Sequence, residues 1–191
     1  MKKINLAILV LVLIASYSCK EVKKEIKEVS KELEFETNEV DIETINISME
    51  PKSNSDVKGE VTFTEENNMV KMIATFSGLS EGEHAIHLHE KADCSSADGK
   101  SSGGHWNPTK EPHGKWGAEE GYHKGDIGNF KADADGNATV EFSSEQWCLS
   151  CEDENKNILG KAVIIHQGQD DFTSQPSGNA GARISCSAII K

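Results

Sequence analysis

From residue 40 onward the chain is a succession of short runs in which apolar and polar residues alternate, and this alternation restricts the fold more than any other property of the sequence. In "VKGEVTF" and "VKMIATF" every second residue is apolar, the period of a strand with one buried face. The runs are "VDIETINIS", "VKGEVTFTEE", "NMVKMIATFSGL", "EHAIHLHE", "DIGNFKADADGNATVEFS", "AVIIHQG" and "ARISCSAII", with no long amphipathic helix between them. Such a chain folds as an all-β sandwich or barrel. Asp135-Gly136, between two of the runs, is a hairpin signal. Residues 92–123 and 167–181 break the pattern; both are rich in glycine, serine and charge, and loops this long in a compact domain usually carry function.

The first 19 residues, "MKKINLAILVLVLIASYSC", combine two lysines, a short apolar run and small residues before Cys19, which reads as a secretory signal. A cysteine closing such a segment resembles a bacterial lipoprotein signal, in which Cys19 would be lipidated and become the mature N-terminus, although Ser16 stands where leucine is usual. Residues 20–39 are dense in charge, with a thin helical stripe of Val22, Ile26, Val29 and Leu33, and read as a tether to a domain spanning 40–191. The chain therefore belongs in the cell envelope, periplasmic or surface-exposed, where disulfides persist. A net charge of −12 argues against nucleic acid or an anionic membrane surface as partner, and is awkward for an anionic substrate as well.

The stretch "HAIHLHE" holds three of the chain's seven histidines. On a strand, His87 and His89 share a face opposite Ile86 and Leu88, and two imidazoles so placed can grip one metal ion; His84 has the opposite parity. His105, His113 and His123 lie in or at the end of the first long loop, His166 ends an apolar run, and Asp126 adds a carboxylate three residues after His123. Scattered surface histidines would not be expected to distribute in this way.

"GLSEGEHAIHLHEKADC", "GGHWNP", "GYHKGDIGN", "AVIIHQGQDD" and "GNAGARISC" resemble, in order, the signatures of the copper-zinc superoxide dismutase family, over about residues 43–191. The resemblance implies a Greek-key β-sandwich, or flattened eight-stranded barrel, with two long functional loops. It implies His87, His89, His105 and His166 as copper ligands, and His105, His113, His123 and Asp126 as zinc ligands, with His105 bridging. The donor sets agree, since four imidazoles suit copper(II) and three imidazoles with a carboxylate make a closed zinc site. Asp170 matches a carboxylate that orients one ligand of each metal, and His84 a framework histidine that bonds backbone. Arg183 matches the arginine beside the copper, a local cation that can draw a small anion into a cleft despite an acidic surface.

The implied activity is dismutation of superoxide to dioxygen and hydrogen peroxide by a copper redox shuttle, with His105 exchanging a proton and zinc structural, protecting the cell envelope. A non-catalytic copper-storage or delivery protein is the alternative. A homodimer is compatible with the resemblance. Cys94 and Cys186 match the family's disulfide. Cys148 and Cys151 in "QWCLSC" lie outside the matched motifs; a nearby partner in an exported chain oxidises readily, which predicts a second bridge, the other reading being a thiol pair that hands over copper.

Overall fold

The computed structural model describes residues 42–191, so the signal segment, Cys19 and the tether over 20–39 lie outside the described residues. Eight strands follow one another: β1 (Glu43–Pro51), β2 (Lys58–Glu66), β3 (Met69–Ser77), β4 (Gly82–His89), β5 (Gly128–Ala132), β6 (Ala138–Ser144), β7 (Ala162–His166) and β8 (Arg183–Ala188). They form one antiparallel order, β5-β4-β7-β8-β1-β2-β3-β6, which curls into a nearly closed Greek-key barrel. β1 joins its two halves: Glu43–Met49 pair with β2, while Glu50 and Pro51 pair with Cys186 and Ser185 of β8.

The alternation read from the sequence is the alternation of burial. Ile45, Ile47 and Met49 of β1, Val61 and Phe63 of β2, and Val70, Met72, Ala74 and Phe76 of β3 all turn inward. Their polar neighbours face out, as the inside-outside pattern of β3 shows over its whole length. Ile86 and Leu88 of β4 and Val163 and Ile165 of β7 close the same core from the other side. Each of these side chains larger than Ala74 contributes about 1.5–3 kcal/mol through removal of its surface from water.

Two expectations are corrected by the topology. Asp135-Gly136 does make a tight turn: Gly136 has φ +78° and donates to the Asp133 carbonyl at 3.0 Å. The strands it connects do not pair as a hairpin, because β5 pairs with β4 and β6 with β3, at opposite edges of the order. Leu79 fills the gap beneath the turn by donating its amide to the Gly136 carbonyl. The second correction is a third long connection, residues 145–161 between β6 and β7, which packs Trp147, Leu149 and Ile158 into the core.

Candidate metal centre

The outer face of β4 presents His87 and His89, both fully buried by the loops that cover them. The first loop returns to this strand through a backbone triangle. Trp106 N–H donates to the Leu88 carbonyl at 2.8 Å, Leu88 N–H to Gly125 at 2.9 Å, and Gly125 N–H to Trp106 at 3.0 Å. A Cβ on Gly125 would stand 2.2 Å from the Leu88 carbonyl, so only glycine lets the chain approach so closely. This docking lays His105 alongside His89 and brings the turn of His123 and Asp126 to the same place. His166 arrives at the end of β7, at a register shift where it faces Arg183 of β8.

Two buried quartets result: His87, His89, His105 and His166, and His105, His113, His123 and Asp126, each with ligand atoms within 4.8 Å of one another. His105 belongs to both. The other ring nitrogen of most of these histidines is already held. His87 Nε2–H and His113 Nε2–H donate to the two oxygens of Asp170, each at 2.9 Å. His89 Nδ1–H donates to the Gly103 carbonyl at 2.9 Å and His166 Nδ1–H to that of Gly181 at 3.4 Å. These partners fix the orientation of each ring and leave the opposite nitrogen turned towards the other ligands.

That opposite nitrogen makes no hydrogen bond in any of the six: Nδ1 of His87, His113 and His123, and Nε2 of His89, His105 and His166. His113 Nδ1 lies 3.0 Å from an Asp126 oxygen without hydrogen-bond geometry, as neighbouring ligands of one ion would. A buried polar atom without a partner costs roughly 1–3 kcal/mol. Six would cost about as much as the whole stability of a domain, roughly 5–15 kcal/mol. Metal coordination removes that cost, and the residues present fit copper at the first quartet and zinc at the second. His84 stands apart: its Nδ1 pairs with the His166 carbonyl and its Nε2 with the Ser80 carbonyl, both at 2.9 Å, so it has no nitrogen to offer.

The electrostatics sort the same groups. Burial, together with the neighbouring imidazoles, pulls His89 and His166 well below the ordinary histidine value. Burial likewise lowers His105 to about 4, against the opposing pull of Asp126. Burial lowers His113 too, but its contacts with Asp126 and Asp170 outweigh it and raise the group to about 9. Burial opposes ionisation of Asp126 and Asp170, yet the imidazoles bonded to them hold both well below the usual carboxylate range. Asp126 is pinned further by the amides of His123 at 2.8 Å and Gly114 at 3.2 Å.

A cleft of about 540 Å³ opens over the first quartet, with His89, His105 and His166 among its walls and Arg183 beside them. The Arg183 guanidinium is half-buried and donates from Nη1 to the Gly99 carbonyl at 3.0 Å and to Ser102 Oγ at 3.1 Å. That loop is tied to β8 by a disulfide between Cys94 and Cys186, with Cα atoms 5.8 Å apart. Cys148 and Cys151 form a second disulfide. Two disulfides fit an exported protein.

Some participants gave no sequence signal. Gln175 grips the backbone of His113 at both ends, accepting from its amide and donating to its carbonyl, each at 2.9 Å. Gly178 passes over the Asp170–His113 bond so closely that a Cβ would collide with both side chains. Only contact across 60 or so residues defines such roles, as the 62-residue separation of Gln175 and His113 shows.

Comparison with known proteins agrees with this geometry. The family model for copper/zinc superoxide dismutase matches residues 57–189. An extracellular copper-zinc superoxide dismutase of Caenorhabditis elegans is 33% identical over 144 residues, covering 72% of this chain and 63% of that protein, so the chain spans less than two thirds of that relative. A copper-zinc superoxide dismutase of Aquifex aeolicus is 36% identical over 157 residues, covering 75% of this chain and 90% of the relative. The crystal structure of a SOD-like protein from Bacillus subtilis superposes with a TM-score of 0.68 at 30% identity, covering 76% of this chain and 97% of that one. With its family match, its Greek-key barrel and two histidine quartets joined at His105, the chain belongs to the copper/zinc superoxide dismutase family.

Proposed function

We propose that this protein is a copper-zinc superoxide dismutase acting on superoxide outside the cytoplasm. The observation that carries the reading is the set of six buried, unbonded ring nitrogens, arranged as two quartets under a cleft with a cation at its wall. His87, His89, His105 and His166 would hold copper, and His105, His113, His123 and Asp126 zinc. Copper at the first quartet supplies one-electron redox chemistry, by which two superoxide anions and two protons become dioxygen and hydrogen peroxide.

The chain's own groups do the rest. Arg183 draws the anion into the cleft and positions it beside His166, its ladder neighbour. His105 Nε2 takes and returns a proton, while its Nδ1, 2.8 Å from Asp126, would stay committed to the zinc quartet and keep the ring in place. Asp170 ties His87 to His113 and so couples the orientation of the two quartets. The loops bury His87 and His89 completely and limit water to the cleft side.

Signal residues 1–19, lipidation of Cys19 and a tether over 20–39 would place the domain of 40–191 on the envelope of a bacterium. Extracellular relatives and the two disulfides support export, and mass measurement of the mature N-terminus tests the lipid. The activity is tested on metal-loaded protein by superoxide removal per bound copper. His166→Ala should abolish turnover. A protein holding both metals that removes no superoxide would instead be a storage or delivery protein.

A further inference from the structure

The third connection, residues 145–161, contributes no proposed ligand, yet it grips the zinc quartet from behind. Trp147 Nε1–H donates to the Lys124 carbonyl at 2.8 Å, and Gln146 Nε2–H donates to Tyr122 Oη at 2.6 Å. Lys124 Nζ donates to Gln146 Oε1. Tyr122 and Lys124 flank His123, so three bonds hold the two residues that bracket one ligand and lead into the Asp126 turn.

A second grip is aromatic. Trp116, three residues after His113, packs at 4.9 Å from Tyr122, 4.9 Å from Phe142 of β6 and 5.8 Å from Trp147. Phe142 and Trp147 lie 5.0 Å apart and complete the group. The clasp is itself anchored. Cys148 exchanges backbone bonds with Lys156 and Ile158, Cys151 closes on it through the disulfide, and Leu149 N–H donates to Glu65 of β2 at 2.7 Å. Trp147 is buried at 1% exposure, which fixes its indole nitrogen in the barrel rather than in the loop it holds.

We infer that Gln146 and Trp147 are positioning residues for the zinc quartet, holding the His123–Asp126 turn in ligating geometry from a loop anchored by the core and by bonds around the Cys148–Cys151 turn. The inference rests on the assignment of zinc to that quartet. Groups that orient metal ligands typically change metal affinity by about 10–100-fold when removed.

The experiment uses the full chain loaded with copper and zinc, challenged with a chelator while both metals are followed by elemental analysis. A parallel sample carries cobalt(II) in the zinc quartet, whose visible absorption bands report ligand geometry. Gln146→Ala and Trp147→Phe should each release zinc about tenfold faster than the native chain and shift the cobalt bands, with copper content retained. Gln146→Glu keeps the acceptor for Lys124 and lets the Tyr122 hydroxyl reverse its bond and donate to the carboxylate, and should show native release and native bands. Gln146 is only partly buried, so Gln146→Ala leaves the core intact even if Trp147→Phe weakens it. Native release rates and unshifted bands in Gln146→Ala and Trp147→Phe would overturn the inference alone. A native chain that takes up neither zinc nor cobalt at this quartet would overturn the zinc assignment, and the inference with it.

Discussion

Arg183 ligates nothing, since both of its hydrogen bonds run to Gly99 and Ser102 in the loop above it. Guidance of an anion can therefore be separated from metal binding at this one side chain. Arg183→Glu should keep both metals and lower the rate by roughly tenfold or more, within the 10–10³ range that electrostatic focusing supplies. Arg183→Lys should fall less, and added salt should slow the native protein but not the reversed-charge variant. A native rate in Arg183→Glu would move the guiding role to Lys100, which also lines the cleft. The imidazoles give a second prediction, for the metal-stripped protein. His89 and His166 titrate lower in the fold than the 6.5 or so expected unfolded, so the unfolded chain binds more protons and stability falls as pH drops below about 6.5. His113, raised to about 9, has the opposite sign: its contribution is full below about 6.5 and lost as pH rises through about 9. Thermal midpoints should peak near pH 6–7 and decline on both sides, and a flat alkaline limb would show that Asp126 and Asp170 do not hold a proton on His113.

Among elements, the strands were legible because their evidence is local. In β3, Val70, Met72, Ala74 and Phe76 alternate with exposed residues both in the sequence and in space. The two metal loops were legible by composition, and their histidines by spacing along matched motifs. The loop over 145–161 was not, because Trp147, Leu149 and Ile158 are scattered through a polar segment with no strand or helix period, and its placement depends on distant partners such as Glu65. The Asp135-Gly136 turn misled for the opposite reason: its local chemistry is that of a hairpin, and only pairing with β4 and β3 decides where its strands go. Gln175 and Gly178 acquire meaning only from His113 and Asp170 beside them. The loop that holds Arg183 depends on Cys94–Cys186, whose 92-residue separation makes the bridge worth about 4–5 kcal/mol if its effect is loop entropy in the unfolded chain. Cys94→Ser with Cys186→Ser should lower unfolding free energy by up to that amount and free Arg183, so that activity per bound copper falls before the fold is lost. Denaturant titration beside an activity measurement checks both, and full activity per copper would show that the loop holds Arg183 unaided.

In the whole molecule, β8 stands at the middle of the strand order, between β7 and β1. Among the described residues it is the only strand whose ladders join β5-β4-β7 on one side to β1-β2-β3-β6 on the other. Ser185 Oγ reaches the Glu50 carbonyl across 135 residues, and contacts of such separation form slowly. β8 also carries Arg183 and Cys186. It is the last of the eight strands to be synthesised, so a ribosome that has reached residue 182 has made every proposed ligand and seven strands, but not the strand whose backbone bonds link the two halves of the order. Until β8 is made the strand order lacks its central member and Cys94 its disulfide partner, so the barrel should close only once the whole domain has been synthesised. Chains stalled at residue 182 should remain protease-sensitive with Cys94 open to thiol reagents, whereas chains stalled far enough past residue 191 to clear the ribosome should resist both.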